Sequence, residues 1–129
     1  MRSRAYLVDT DVLIDVAKGK RGSADFLNSL QEEWSLSTIT AMELLVGARD
    51  KKDVERIEEL LAAFETVPLS DAIGATAYRL VKQFTTSHGL RVFDALVAAT
   101  AIEGNRTLVT RNRRHFQMIS DLQLKIPEY

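Results

Sequence analysis

Ala5-Tyr6-Leu7-Val8-Asp9-Thr10-Asp11-Val12-Leu13-Ile14 is the stretch whose reading decides the fold. It opens as a short apolar run, long enough for one buried strand and too short for a buried helix. Asp9 and Asp11 then arrive where that strand should end, and Val12, Leu13 and Ile14 follow at once. A strand that delivers carboxylates at its carboxyl end places them at the rim of an open α/β sheet, where such sheets bind ligands.

Outward from this stretch, strand and helix patterns alternate. A short helix is expected over 12–17, closed by Lys18-Gly19-Lys20, and Ser23 with Asp25 opens a second carrying Phe26, Leu27 and Leu30. A second strand is expected over 34–39, then a helix from Thr40 through Leu44, Leu45 and Ala48. Val54, Ile57, Leu60, Leu61 and Phe64 share one face of a further helix. Thr66-Val67-Pro68-Leu69 reads as a short edge strand, because Pro68 cannot donate to a ladder. Ser70 and Asp71 cap a long helix that Gly89 ends in a left-handed turn. The segment 93–102 is apolar nearly all round, which predicts a helix buried on most sides. Strands follow at Thr107-Leu108-Val109-Thr110 and along Leu122, Leu124 and Ile126. Such alternation predicts a mostly parallel sheet with helices on both faces, an α/β sandwich forming one domain over 1–129.

The bulk numbers agree with an ordinary core. Of the 129 residues, 46% are hydrophobic and 27% charged, a balance that excludes intrinsic disorder. The absence of cysteine excludes disulfides, thiolate zinc sites and cysteine nucleophiles. The basic Met1-Arg2-Ser3-Arg4 precedes an apolar run that stops at Asp9, so no signal peptide is read there. No stretch approaches the length of a membrane span, and a cytoplasmic protein is expected. Net charge is −1, which gives no global field for nucleic acid, but Lys18, Lys20 and Arg21 cluster, as do Arg111, Arg113, Arg114 and His115. Such clusters are ordinarily solvated surface.

Asp9, Glu43, Asp94 and Asn112 each sit where a strand ends or a helix begins, and in a parallel sheet those ends lie on one side. Three carboxylates brought together repel unless a cation neutralises them, and a hard divalent ion, Mg²⁺ or Mn²⁺, suits oxygen ligands. Each position also has a structural reading. Thr40 and Glu43 fit a capping box, Asp94 suits a helix start, and Asp11 reads as the cap of a helix beginning at Val12. Asp15 reads as a helix-start or surface acid, and the two histidines lack metal-ligand spacing. Asp9 has the weakest structural reading, because an acid ending a central strand is costly unless paired or metal-bound.

Four pieces in order carry a resemblance that covers essentially the whole chain: Leu7-Val8-Asp9-Thr10-Asp11-Val12-Leu13-Ile14, Thr38-Ile39-Thr40-Ala41-Met42-Glu43-Leu44-Leu45-Val46-Gly47-Ala48, Arg91-Val92-Phe93-Asp94-Ala95-Leu96-Val97-Ala98-Ala99-Thr100-Ala101, and Leu108-Val109-Thr110-Arg111-Asn112-Arg113-Arg114-His115-Phe116. The sequence resembles PIN-domain ribonucleases and, within them, VapC toxins of toxin–antitoxin pairs. The resemblance implies a PIN-like three-layer sandwich, with Asp9, Glu43 and Asp94 as catalytic metal-binding acids. Asn112 matches a fourth metal position, where the family has Asp or Asn, and here removes one charge. It implies metal-assisted hydrolysis of RNA by Mg²⁺ or Mn²⁺, with Arg91, Arg111, Arg113 and Arg114 placed to hold RNA phosphates. It also implies a cognate antitoxin and a homodimer; the apolar helices around Phe26-Leu27-Leu30 and Leu60-Leu61-Phe64 are candidates for the docking surface, core packing being the ordinary reading of most of those side chains.

Two rival readings have distinct requirements. Asp9-Thr10-Asp11 loosely matches the opening of Asp-x-Asp phosphatases, which need a later paired acid; after Glu58-Glu59, which lies within a helical pattern, no adjacent acids occur. A non-catalytic PIN-like module would use the acidic groove to hold a basic peptide.

Overall fold

The computed structural model describes residues 5–31 and 33–129; the basic start at Met1-Arg2-Ser3-Arg4 lies outside the described residues. Five strands form one parallel sheet: β1 (Tyr6–Val8), β2 (Trp34–Ser37), β3 (Glu65–Val67), β4 (Thr107–Val109) and β5 (Leu124–Lys125). Their order is β3-β2-β1-β4-β5, so β1 is central. The helices are α1 (Thr10–Ala17), α2 (Ser23–Ser29), α3 (Thr38–Val46), α4 (Lys51–Ala62), α5 (Asp71–His88), α6 (Val92–Glu103) and the short α7 (Arg113–Phe116).

Successive side chains of a strand point to opposite faces, and the two apolar cores follow that alternation. Leu7 and Leu108 join Ile73, Ala77, Leu80, Ala95, Val97 and Phe116 in the core under α5, α6 and α7. Val8, Val109, Trp34 and Leu36 join Val12, Leu13 and Leu30 in the other, where α2 and α4 add Phe26, Leu27 and Leu61. Trp34 stacks on Phe64 at 4.1 Å between ring centroids, an arrangement worth about 0.5–1.5 kcal/mol beyond the area it buries. The expected sandwich, a parallel sheet between helical layers, is therefore the observed one. Among the described residues no helix is long and apolar enough to cross a membrane.

Local boundaries differ from expectation where a polar side chain intervenes. The strand expected over 34–39 stops at Ser37, because the Ser37 hydroxyl accepts the Thr40 N–H at 2.9 Å and starts α3 at Thr38. That removes the capping box: Thr40 lies inside the helix, and Glu43 is free of any capping role. The helix expected from Val12 starts at Thr10, because the Asp9 carboxylate accepts the Thr10 N–H at 2.8 Å. Asp9, and not Asp11, is the cap. Ser70 caps α5 through the Ile73 N–H, and Gly89 ends it at φ 67°, both as expected.

From β1 the chain winds outward to β2 and β3, then crosses to β4 and β5 on the other side of β1. The order reverses between β1 and β4. Crevices at the carboxyl ends of such strands are where open α/β sheets take ligands.

Candidate active site at the β1–β4 switch point

Asp9 follows β1 directly and continues its ladder, with its N–H donated to the Val109 carbonyl at 2.9 Å. Only 7% of it is exposed. Besides the Thr10 N–H, its carboxylate accepts from the Thr110 hydroxyl at 2.9 Å. Those two donors do not offset the cost of burial. Burial first, then the Asp11 charge and, more weakly, Asp94 push the Asp9 carboxyl up to about 7.

Glu43, one turn into α3, is exposed and accepts the Thr10 hydroxyl at 2.7 Å. Thr10 thus ties two acids together, one through its backbone N–H and one through its side chain. Asp94 lies half-buried in the first turn of α6, with His115 Nδ1 3.3 Å from its carboxylate. Burial raises the Asp94 pKa and Glu43 adds to it, against the opposing pull of His115 and Arg91. Asn112 sits past β4 with its side chain exposed; its N–H donates to the Thr110 hydroxyl at 3.1 Å.

The four positions share the rim, but they do not close into a cage. Among the described residues no three His, Cys, Asp or Glu side chains stand together as a metal-holding group. Each carboxylate faces its own donor: Asp9 the Thr10 N–H and the Thr110 hydroxyl, Glu43 the Thr10 hydroxyl, Asp94 the His115 ring.

Asp11 also differs from expectation. Its Oδ2 accepts the Arg111 N–H at 3.0 Å, and its Oδ1 is buried with no hydrogen-bond partner among the described residues. Burial raises its pKa as well. An orphaned carboxylate oxygen next to a buried acid with a raised pKa marks a locus short of positive charge. An all-oxygen donor set of carboxylates and one amide suits Mg²⁺ or Mn²⁺, ions that keep several waters and need few direct protein ligands.

Of the basic residues, Arg91, Arg113 and Arg114 are exposed around this rim. Arg111 is exposed as well, and it is also paired: its Nε lies 2.7 Å from Asp15 Oδ2. Asp15, read from sequence as a helix-start or surface acid, is buried, because Arg111 and the Tyr129 hydroxyl, at 2.6 Å, both bind it. Thr10, Thr110 and His115 had no assigned role in the sequence reading. Thr110 follows an apolar strand just as Asp9 does, and that shared position was the available signal.

A family model described as the PIN domain matches residues 6–121. The chain belongs to the PIN-domain family. Among curated PIN-domain relatives it is 34% identical to Ribonuclease VapC19 of Mycobacterium tuberculosis over 121 residues, covering 91% of this chain and 96% of that one. Among solved structures, a toxin-antitoxin complex from Klebsiella pneumoniae matches with a TM-score of 0.78 at 30% identity, over 91% of this chain and 94% of that one. VapBC2 from Rickettsia felis, bound to a DNA fragment from their promoter, matches with a TM-score of 0.77 at 25% identity, over 95% and 98% of the two chains.

Proposed function

We propose that this PIN domain, over 1–129, is a cytoplasmic metal-dependent endoribonuclease, the toxin of a type II toxin–antitoxin pair. The observation that carries the reading is the Asp9 carboxyl, buried at the switch point and pushed up to about 7 with Asp11, Asp94 and Glu43 around the same rim. Asp9, Glu43 and Asp94 would hold a Mg²⁺ or Mn²⁺ ion, with the Asn112 amide oxygen as a neutral fourth donor. Such an ion supplies Lewis acidity toward a phosphoryl oxygen and lowers the pKa of a bound water. Glu43, the most exposed of the three acids, is placed to orient an attacking water or take its proton. Arg91, Arg113 and Arg114 supply positive charge for RNA phosphates beside an acidic centre that would otherwise repel them.

The antitoxin reading rests on the solved relatives and on a cleft on the α4 side. Leu27, Trp34, Leu44, Leu60, Leu61 and Phe64 help line a space of about 250 Å³, and Leu60 is 52% exposed. A homodimer has a candidate surface in Met42, Val46, Val92 and Phe93, all exposed where α3 meets the start of α6.

Incubating the protein with a labelled structured RNA across a Mg²⁺ or Mn²⁺ titration tests the reading. Cleavage stopped by chelator, and absent in Asp9→Ala, Glu43→Ala and Asp94→Ala variants that keep their far-ultraviolet circular dichroism, is the expected result. Phosphate release from a small monoester would point to a phosphatase. RNA or peptide binding without cleavage under any metal would point to a binding module.

A further inference from the structure

We propose that Asp15 is a positioning residue for the rim that carries Asn112, with Tyr129 fastening it and Arg111 as its charged partner. Resting on the nuclease reading, this assignment moves Arg111 from the RNA-contacting set to the framework behind the acids.

The connections are continuous. Arg111 meets Asp15 through two nitrogens, Nε at 2.7 Å from Oδ2 and Nη2 at 3.4 Å from Oδ1. Two-point contact between a guanidinium and a carboxylate fixes direction as well as distance. The Arg111 N–H is held by Asp11 Oδ2 at 3.0 Å, so α1 grips this residue by backbone and side chain together. Its neighbours complete the path: the Asn112 N–H donates to the Thr110 hydroxyl, which donates to Asp9.

Tyr129 braces the far side. Its hydroxyl donates to Asp15 Oδ2 at 2.6 Å, its ring lies 5.8 Å from that of Phe26, and Lys20 Nζ sits 5.6 Å from the ring centre. Gly22 makes room for it: at φ 84°, a Cβ there would come within 2.8 Å of the Tyr129 Cβ. An acid as buried as Asp15 is costly unless well paired, and both of its partners lead to the rim or to its brace. Removing the charge should loosen the 110–112 segment while leaving the sheet in place.

Amide hydrogen exchange by NMR, with Mn²⁺ binding followed by electron paramagnetic resonance, tests this on the full chain. In Asp15→Asn the Arg111 and Asn112 amides should exchange about tenfold faster, while the Leu108 amide, bonded to the Gln123 carbonyl within the sheet, keeps its rate. Mn²⁺ affinity should fall about tenfold, as for loss of an outer-shell partner, and about threefold in the milder Tyr129→Phe. Arg111→Gln should reproduce the Mn²⁺ loss and leave RNA affinity in EDTA within about twofold, since no phosphate contact is removed.

Unchanged Arg111 and Asn112 exchange in Asp15→Asn, or a parallel rise at Leu108, overturns the proposal. So does a large loss of RNA affinity in Arg111→Gln. If Asp15→Asn does not fold, unaltered exchange and Mn²⁺ affinity in Tyr129→Phe overturn it instead. Failure of the wild type to bind Mn²⁺ sinks the nuclease reading, and the exchange rates then still judge the positioning claim.

Discussion

Relative to the wild type, Asp9→Asn should gain stability in the metal-free protein as pH rises. The Asp9 carboxyl is held at about 7 against an ordinary 3.8, so the folded protein keeps a proton that the unfolded chain releases. A folded-state pKa above the unfolded one gives stability that is complete below 3.8 and lost as pH rises through about 7. At about 1.4 kcal/mol per pKa unit the whole loss is about 4 kcal/mol, of which about 2.5 kcal/mol falls between pH 5 and pH 8. Asn cannot ionise and escapes that loss. It does surrender one acceptor toward Thr10 or Thr110, a cost of about 1–3 kcal/mol that is the same at both pH values. Asp11 and Asp94, also held up by burial, titrate in both proteins and cancel to first order. Urea unfolding in EDTA at the two pH values isolates the effect: the stability difference between variant and wild type should grow by about 2–3 kcal/mol from pH 5 to pH 8. Mn²⁺ at a hundred times its dissociation constant should return about 2.7 kcal/mol to the wild type and far less to the variant. A difference independent of pH would show that Asp9 ionises normally, and the reasoning from burial would fail.

Thr110→Val keeps the shape and removes the hydroxyl that Asp9 and the Asn112 N–H share; a loss of about 1–3 kcal/mol in urea unfolding, with weaker Mn²⁺ binding, is expected. Arg113→Ala with Arg114→Ala should weaken RNA binding in EDTA and flatten its log–log salt dependence by about one to two, while Mn²⁺ affinity holds. Leu60→Asp places a charge in the cleft at α4 and should release the enzyme from antitoxin inhibition without changing cleavage by the free protein, read by titrating antitoxin into the RNA assay.

What could be read without coordinates follows from how local each cause is. Tyr6-Leu7-Val8 needs only its own apolar run to be a strand, and Asp9 stands out because it ends one. Whether Ser37 or Thr40 starts α3 depends on which hydroxyl reaches a backbone N–H, and both are good caps by composition. The burial of Asp15 escapes the sequence for a different reason. Its partners are 96 and 114 positions away, at Arg111 and Tyr129, and no helical period reports on contacts at that separation. The turning of each acid to its own donor is likewise a property of the assembled rim: Thr10 and Glu43 lie 33 positions apart, and their 2.7 Å contact exists only once β1 and β2 are paired.

The insertion of β4 beside β1 has a consequence for when this molecule can be dangerous. A ribosome must have released residues through Asn112 before the last of the four rim positions exists, and Thr110 cannot reach Asp9 until β4 has zipped onto a strand made about a hundred residues earlier. Long-range parallel pairing of this kind forms slowly. On the nuclease reading a growing chain cannot cut before that pairing is made, and the interval before closure is time in which a neutralising protein can already be waiting.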